Sequence, residues 1–157
     1  MNSIKKVYYW SPFLSKIATI DAVINSALGL SRYSKLFNST IINSIGEFDE
    51  AKKICEKNRI IVKNLIDFDL IKFLPSNGYI FSRLSFLVIF FVSFFKLKNL
   101  LKKDKPEFLI VHLITSLPLI LNYIYNFETK IIFRISGYPR LNILRKFFWK
   151  ITFKKVF

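Results

Sequence analysis

The chain has 157 residues, enough for one domain with a real hydrophobic core. Lys and Arg number 25 against 10 Asp and Glu, a formal charge of +15, in a sequence that is 52% hydrophobic and contains 18 Phe. This balance points to an anionic membrane surface as partner and away from nucleic acid, whose binders carry less aliphatic bulk, while the single Cys55 excludes an internal disulfide and a cysteine zinc site and fits a reducing cytosolic setting.

The first strand is expected over residues 4–10, a β-branched and aromatic run that stops at Ser11-Pro12. No apolar signal core with a small-residue cleavage site precedes it. After this strand Ser11, Pro12 and Ser15 stand where many nucleotide-binding sheets place glycines, and there is no GxGxxG, so a dinucleotide cradle is not expected here. Ser15, Lys16 and Thr19 are candidates to contact a sugar or phosphate. Capping of the next helix, which starts at Thr19 or Asp21 and runs to about Leu30, would also account for them.

Thr40–Ile45 reads as the second strand, closed by Gly46. Glu47, Asp49 and Glu50 then stand at the start of a helix over Ala51–Lys57, where acids suit the positive end; paired catalytic carboxylates are the sharper alternative. Cys55 within it reads as a small core residue. Arg59–Leu65 is the third strand, and an irregular stretch ends in the turn Pro75-Ser76-Asn77-Gly78. Residues 79–95 are then almost wholly apolar, followed by Lys96, Lys98, Lys102, Lys103 and Lys105. A spanning helix needs about 20 apolar residues, whereas the charge-free run reaches only from Leu84 to Phe95. The segment therefore reads as a crossover helix docked on the sheet, with Phe90, Phe91 and Phe94 touching a membrane surface.

The stretch from Glu107 to Pro139 organises the rest. A strand over 107–112 ends in His112, a helix capped by Thr115 or Ser116 carries Pro118 in its first turn, and Lys130–Ile135 is a further strand. This βαβ unit implies a parallel sheet and a right-handed crossover. The fold class is α/β: a Rossmann-like open parallel sheet with helices on both faces. In such sheets the working groups lie beyond the carboxyl ends of the strands. His112 falls there after one strand, and Arg134, Ser136 and Gly137 after the next. His112 is either a substrate-bonding group or a satisfied strand-end histidine. Arg134 suits a pyrophosphate or an acidic acceptor, or else an ion pair with Glu107 or Glu128. Ser136 and Gly137 allow close backbone approach or simply make a turn. The last helix groups Leu141, Leu144, Phe148 and Ile151 on one face and Lys146, Lys150 and Lys154 on another, with no acid after Glu128, a pattern that favours anionic headgroups. No Ser/His/Asp set, P-loop or metal cluster is present.

The first strand with its Ser-Pro loop, then KPEFLIVHLITSLPL, then KIIFRISGYPRLNILRKFFWK, resemble the amino-terminal domain of bacterial group 1 (family 4-like) glycosyltransferases of the GT-B fold. The resemblance covers nearly the whole chain and is most specific in HLITSLP and RISGYPRLN. It implies a two-domain enzyme of surface-polysaccharide synthesis that moves sugar from a nucleotide-activated donor to a lipid-linked or polysaccharide acceptor. On this reading residues 1–157 form the acceptor-binding domain, and His112 hydrogen-bonds the donor sugar or acceptor as the catalytic residue. The nucleotide sugar is a substrate rather than a cofactor, and no metal is needed. The donor-binding domain, with its acidic pair, lies outside these residues, so the chain alone is expected to be inactive. Its expected location is cytoplasmic, peripheral on the inner face of the cell membrane. Two other readings compete: a non-catalytic membrane-surface binding or scaffold domain, and a flavodoxin-like domain for some other phosphate ligand.

Overall fold

The structure, a computed structural model, describes residues 4–14, 18–76, 78–112, 116–135 and 143–153. Five parallel strands form one sheet: β1 (Lys5–Trp10), β2 (Phe37–Asn43), β3 (Ile61–Asn64), β4 (Phe108–His112) and β5 (Lys130–Arg134). Their order across the sheet is β3-β2-β1-β4-β5. The chain builds outward from β1 to β3, then crosses back to place β4 on the other side of β1. The strand order thus reverses between β1 and β4, the position at which open α/β sheets leave a crevice for ligands.

β1 lies at the centre and is apolar on both sides, as a strand covered by helices on both faces must be. Val7 and Tyr9 face the layer formed by α1 (Ala18–Tyr33) and α2 (Lys52–Lys57), packing with Val23, Ile24, Ala27, Phe48 and Cys55. Tyr8 and Trp10 face the opposite layer of α3 (Tyr79–Asp104) and α4 (Ser116–Tyr125), packing with Leu97, Leu101, Leu109, Val111, Leu117 and Leu121. Cys55 is fully buried, as its place in the sequence predicts. A fifth helix, α5 (Ile143–Phe153), packs on α4.

Several boundaries differ from the sequence reading: α1 runs on to Tyr33, β3 is Ile61–Asn64 and not Arg59–Leu65, and β5 stops at Arg134. Others differ for identifiable reasons. β2 begins at Phe37 and ends at Asn43, so Ser44 and Ile45 leave the sheet. Their backbone N–H groups donate instead to the Glu47 carboxylate, at 2.9 and 2.6 Å. Glu47 is accordingly a buried clamp on the loop and not a charge at a helix terminus. The turn it closes needs Gly46, whose φ is +100°. Short 3-10 turns at Asp49–Ala51 and Leu70–Phe73 occupy stretches read as helix start and as irregular chain.

α3 has 26 residues, a length of about 39 Å, whereas β4 has five residues and spans about 17 Å. The carboxyl-terminal half of the helix lies on the sheet, and its amino-terminal half runs past the carboxyl ends of the strands. There Ile89 and Val92 rest on a satellite cluster of loop residues that includes Ile45, Ile66, Leu70 and Ile71. The Ser85 hydroxyl donates to the Pro75 carbonyl at 2.9 Å and ties the projecting part down. Ile80–Asp104 is long and apolar enough by composition to cross a membrane, with a mean hydropathy of 1.9. The burial of Leu97, Leu100 and Leu101 in the main core marks it as the crossover helix.

Candidate functional site

The last rung of the sheet gathers the polar residues that the strand ends carry. His112 and Arg134 are register partners on β4 and β5, so their side chains leave the same face of the sheet, the face covered by α1. Trp10 pairs with Ile42 on one side and Val111 on the other. Ser11, one residue further along, therefore falls between Asn43 and His112. The rung reads Asn64, Asn43, Ser11, His112, Arg134 from one edge to the other, and its centre lies at the strand-order reversal.

His112 is 3% exposed and leans on Tyr9, the ring centroids 6.0 Å apart at 46°. Its Nε2 is buried and has no hydrogen-bond partner among the described residues, and the same holds for the Oγ of the fully buried Ser11. Burial, reinforced by the Arg134 charge, lowers the His112 pKa to about 4. The imidazole is thus neutral near pH 7 and offers one donor and one acceptor. Burial raises the pKa of Tyr9 beneath it, while hydrogen bonds with Ser26 and Ser39 and the charge of Arg134 work the other way.

Arg134 is exposed at the end of β5, and its Nη1 donates to the Ala22 carbonyl of α1 at 3.4 Å. The ion pair considered with Glu107 does not form, because Glu107 meets Lys5 at 3.0 Å. The guanidinium therefore stands over the first helix, on the same face as His112, rather than on an opposite rim. The chemistry available is a buried neutral imidazole at the end of β4, a buried hydroxyl one residue past the end of β1, and a cation on the neighbouring β5. Such a set suits a hydroxyl-rich ligand that carries an anionic group.

The other candidates distribute unevenly. Thr19 lies half-buried in the first turn of α1. Ser15, Lys16, Ser136, Gly137 and Lys154 fall outside the described residues. Phe91 faces outward at 69% exposure, whereas Phe90 and Phe94 turn inward and pack partly on the core. Lys146 and Lys150 are exposed on α5. Ile151 is exposed on α5 with Ile143 and Phe147.

A cleft of about 910 Å³ opens between α1 and the loops that follow β2 and β3, and neither His112 nor Arg134 lines it. Asp21, Glu47, Asp49, Glu50 and Asp69 line it, and Lys72 is the one cation there among the described residues. Only the topology brings these acids together, since they come from three separate loops and helices. Much of their capacity is spent internally. Asn43 Nδ2 donates to Asp49 at 2.7 Å and to Asn64 Oδ1 at 3.0 Å, and Asp49 and Asp69 pair with Lys52 and Lys72. Glu47 holds its loop as described, and burial raises its pKa to about 7 against the pull of its backbone donors. Among the described residues no three His, Cys, Asp or Glu side chains come together in a way that could hold a metal ion.

No protein-family model matches the sequence, and no curated protein matches it. Solved structures do resemble the fold. A UDP-GlcNAc 2-epimerase from Neisseria meningitidis, bound to UDP-GlcNAc, superposes with a TM-score of 0.55 at 12% identity, covering 97% of this chain and 37% of that one. CalG4, the calicheamicin glycosyltransferase, gives 0.54 at 12% identity over 96% of this chain and 37% of that one. A protein from Listeria monocytogenes described as a UDP-N-acetylglucosamine 2-epimerase gives 0.56 at 12% identity, with 99% and 37% covered. At these identities the likeness establishes the fold: a Rossmann-like α/β sheet of GT-B type. The chain spans little more than a third of the length of these neighbours.

Proposed function

We propose that this chain is the acceptor-side half of a GT-B glycosyltransferase that moves a sugar from a nucleotide-activated donor to a lipid-linked or polysaccharide acceptor. The donor-binding half would lie outside these 157 residues. The observation that carries the reading is the neutral, buried His112, with Nε2 lacking a partner among the described residues, set beside Arg134 at the strand-order reversal. Transfer needs the acceptor hydroxyl oriented and its proton managed, and it needs negative charge stabilised as the nucleoside diphosphate departs. His112 and Ser11 would serve the first need and Arg134 the second. One further fact supports the reading: the fold is shared with a UDP-GlcNAc 2-epimerase bound to UDP-GlcNAc and with a glycosyltransferase.

The test is sugar transfer by the full natural protein, from a panel of radiolabelled nucleotide sugars to a bacterial lipid extract. The proposal expects transfer by the wild type, a fall in kcat of about a hundredfold in His112→Gln, and a comparable loss in Arg134→Ala, with unfolding midpoints retained. Full activity in both variants would overturn the assignment of the site. Absence of transfer with every donor, together with tight nucleotide binding by residues 1–157 alone, would overturn the function.

A further inference from the structure

We propose that the outward side of α3 is a docking surface for an anionic lipid leaflet, with the helix lying in the headgroup boundary rather than crossing the membrane. The proposal stands on the helix and its charges, and it does not depend on His112 or on sugar transfer.

α3 is apolar on both sides, yet its own chain covers only one. Ile89, Leu97, Leu100 and Leu101 are buried against sheet and loops. On the other side Phe81, Leu84, Leu87, Val88, Phe91 and Phe95 are 40–69% exposed. At 100° per residue these six fall within a sector of about 120°, a single stripe along the projecting part of the helix. Together they present on the order of 600 Å² of apolar surface, at the upper end of what one patch on a soluble monomer shows. The stripe is also firmly held. The satellite cluster and the Ser85–Pro75 hydrogen bond fix the helix beneath it.

Charge identifies the occupant. Below the stripe the exposed surface of the helix turns cationic with Lys96, Lys102 and Lys103. The one acid on the helix, Asp104, is taken by Lys63 and Tyr8 on the inner side. Exposed Ile143, Phe147 and Ile151 beside Lys146 and Lys150 repeat the same apolar-and-basic pattern on α5. A second copy would bring its own cationic border and a charge of +15 to the interface, so like charges oppose self-association. A nucleic acid would meet the lysines and leave the phenyl rings in water. An anionic leaflet satisfies both, because the rings enter the acyl boundary while the lysines meet headgroups, each worth about 1 kcal/mol near the surface. The tie of Leu97, Leu100 and Leu101 to the sheet stops the helix from passing further in.

The test uses the full natural protein in flotation with phosphatidylcholine vesicles, with and without about one-third phosphatidylglycerol. Wild type should float with the anionic vesicles and remain behind with the neutral ones. Phe91→Ser with Phe95→Ser should weaken binding by about tenfold or more, and because both side chains point outward the unfolding midpoint should hold. Lys96→Glu with Lys102→Glu and Lys103→Glu should abolish the preference for anionic lipid. A fluorophore on Phe91→Cys should shift to the blue when anionic vesicles are added, and one on Tyr33→Cys, at a position 93% exposed on α1, should not; buried Cys55 stays unlabelled. Four results would overturn the proposal. These are binding unaffected by the Phe substitutions, equal binding to neutral vesicles, a dimer that dissociates on Phe91→Ser, or a Phe91 label already shielded before lipid is added.

Discussion

The imidazole of His112 is the only one in the chain, so its proton resonances report one environment without assignment. Burial and the Arg134 charge should move its titration midpoint from the usual 6.5 to about 4. Titration followed by NMR checks this; a midpoint near 6.5 would mean the ring is wet. Arg134→Gln should raise the midpoint part of the way back. A lowered pKa makes the unfolded chain bind a proton that the folded chain does not, so the His112 contribution to stability is whole above pH 6.5 and is lost as pH falls toward 4, by about 3 kcal/mol in total. Glu47 acts in the opposite sense. Its pKa, raised to about 7, makes the folded chain hold a proton that the unfolded one releases above 4.5, so stability falls as pH rises from 4.5 to 7. The two effects overlap and offset. Stability should be nearly flat between about pH 4.5 and 6.5 in wild type, and His112→Asn should uncover a decline with rising pH over that window. Urea melts at three pH values distinguish the cases. Gly46 offers a separate check. A Cβ there would run into the Asp69 carboxylate, and its φ of +100° strains any L side chain, so Gly46→Ala should cost about 2 kcal/mol.

At the scale of elements, α3 is fastened at both ends. Its last residue, Asp104, accepts from Tyr8 of β1 at 2.6 Å and from Lys63 of β3, and its backbone carbonyl accepts from Lys6 at 3.2 Å. Burial alone would raise the Asp104 pKa, but the bonds from Lys63 and Tyr8 and the nearby lysine charges hold it below the usual carboxylate range. Asp104→Ala should destabilise the fold by about 1–2 kcal/mol, and Tyr8→Phe in that background should add little, since its partner is already gone. An additive pair in urea melts would break this account. This staple was invisible in the sequence, because its members are 41 and 96 positions apart and meet only through the strand order. The alternation of strands and helices was legible, since β-branched runs and capped apolar stretches carry their own period. The site was legible in part. His112 and Arg134 could be placed at strand ends from local pattern, but Ser11 joins them only once β4 is known to lie beside β1. The β2 boundary was misplaced because Ser44 and Ile45 have strand-like composition, and a carboxylate two or three residues on outcompetes the sheet for their N–H groups. On α3, composition could not tell Phe91 from Phe90, because the helix is apolar all round and only packing separates its two sides.

For the molecule as a whole, excess positive charge and exposed apolar surface respond to salt in opposite ways. The acids are few, and Glu107, Asp49, Asp104 and Asp69 are already matched to Lys5, Lys52, Lys63 and Lys72. What remains is a field of cations that repel one another more strongly in the compact state than in the open chain. Raising sodium chloride from about 10 to 150 mM shortens the screening distance from about 30 to 8 Å. Relief of repulsion across the whole surface should outweigh the weakening of a few surface pairs, each worth about 1 kcal/mol or less. The unfolding midpoint should therefore rise by about 2–5 °C, as a gain of order 1 kcal/mol produces in a domain of this size. The same screening removes the barrier that keeps the stripes on α3 and α5 apart, so solubility should fall over that range even as the fold becomes more stable. Thermal melts and light scattering on one salt series read both responses. A midpoint that drops with salt would show that local ion pairs, and not net charge, dominate the electrostatics of this fold. Solubility that rises with salt would show that charge repulsion is not what holds the exposed Phe side chains apart.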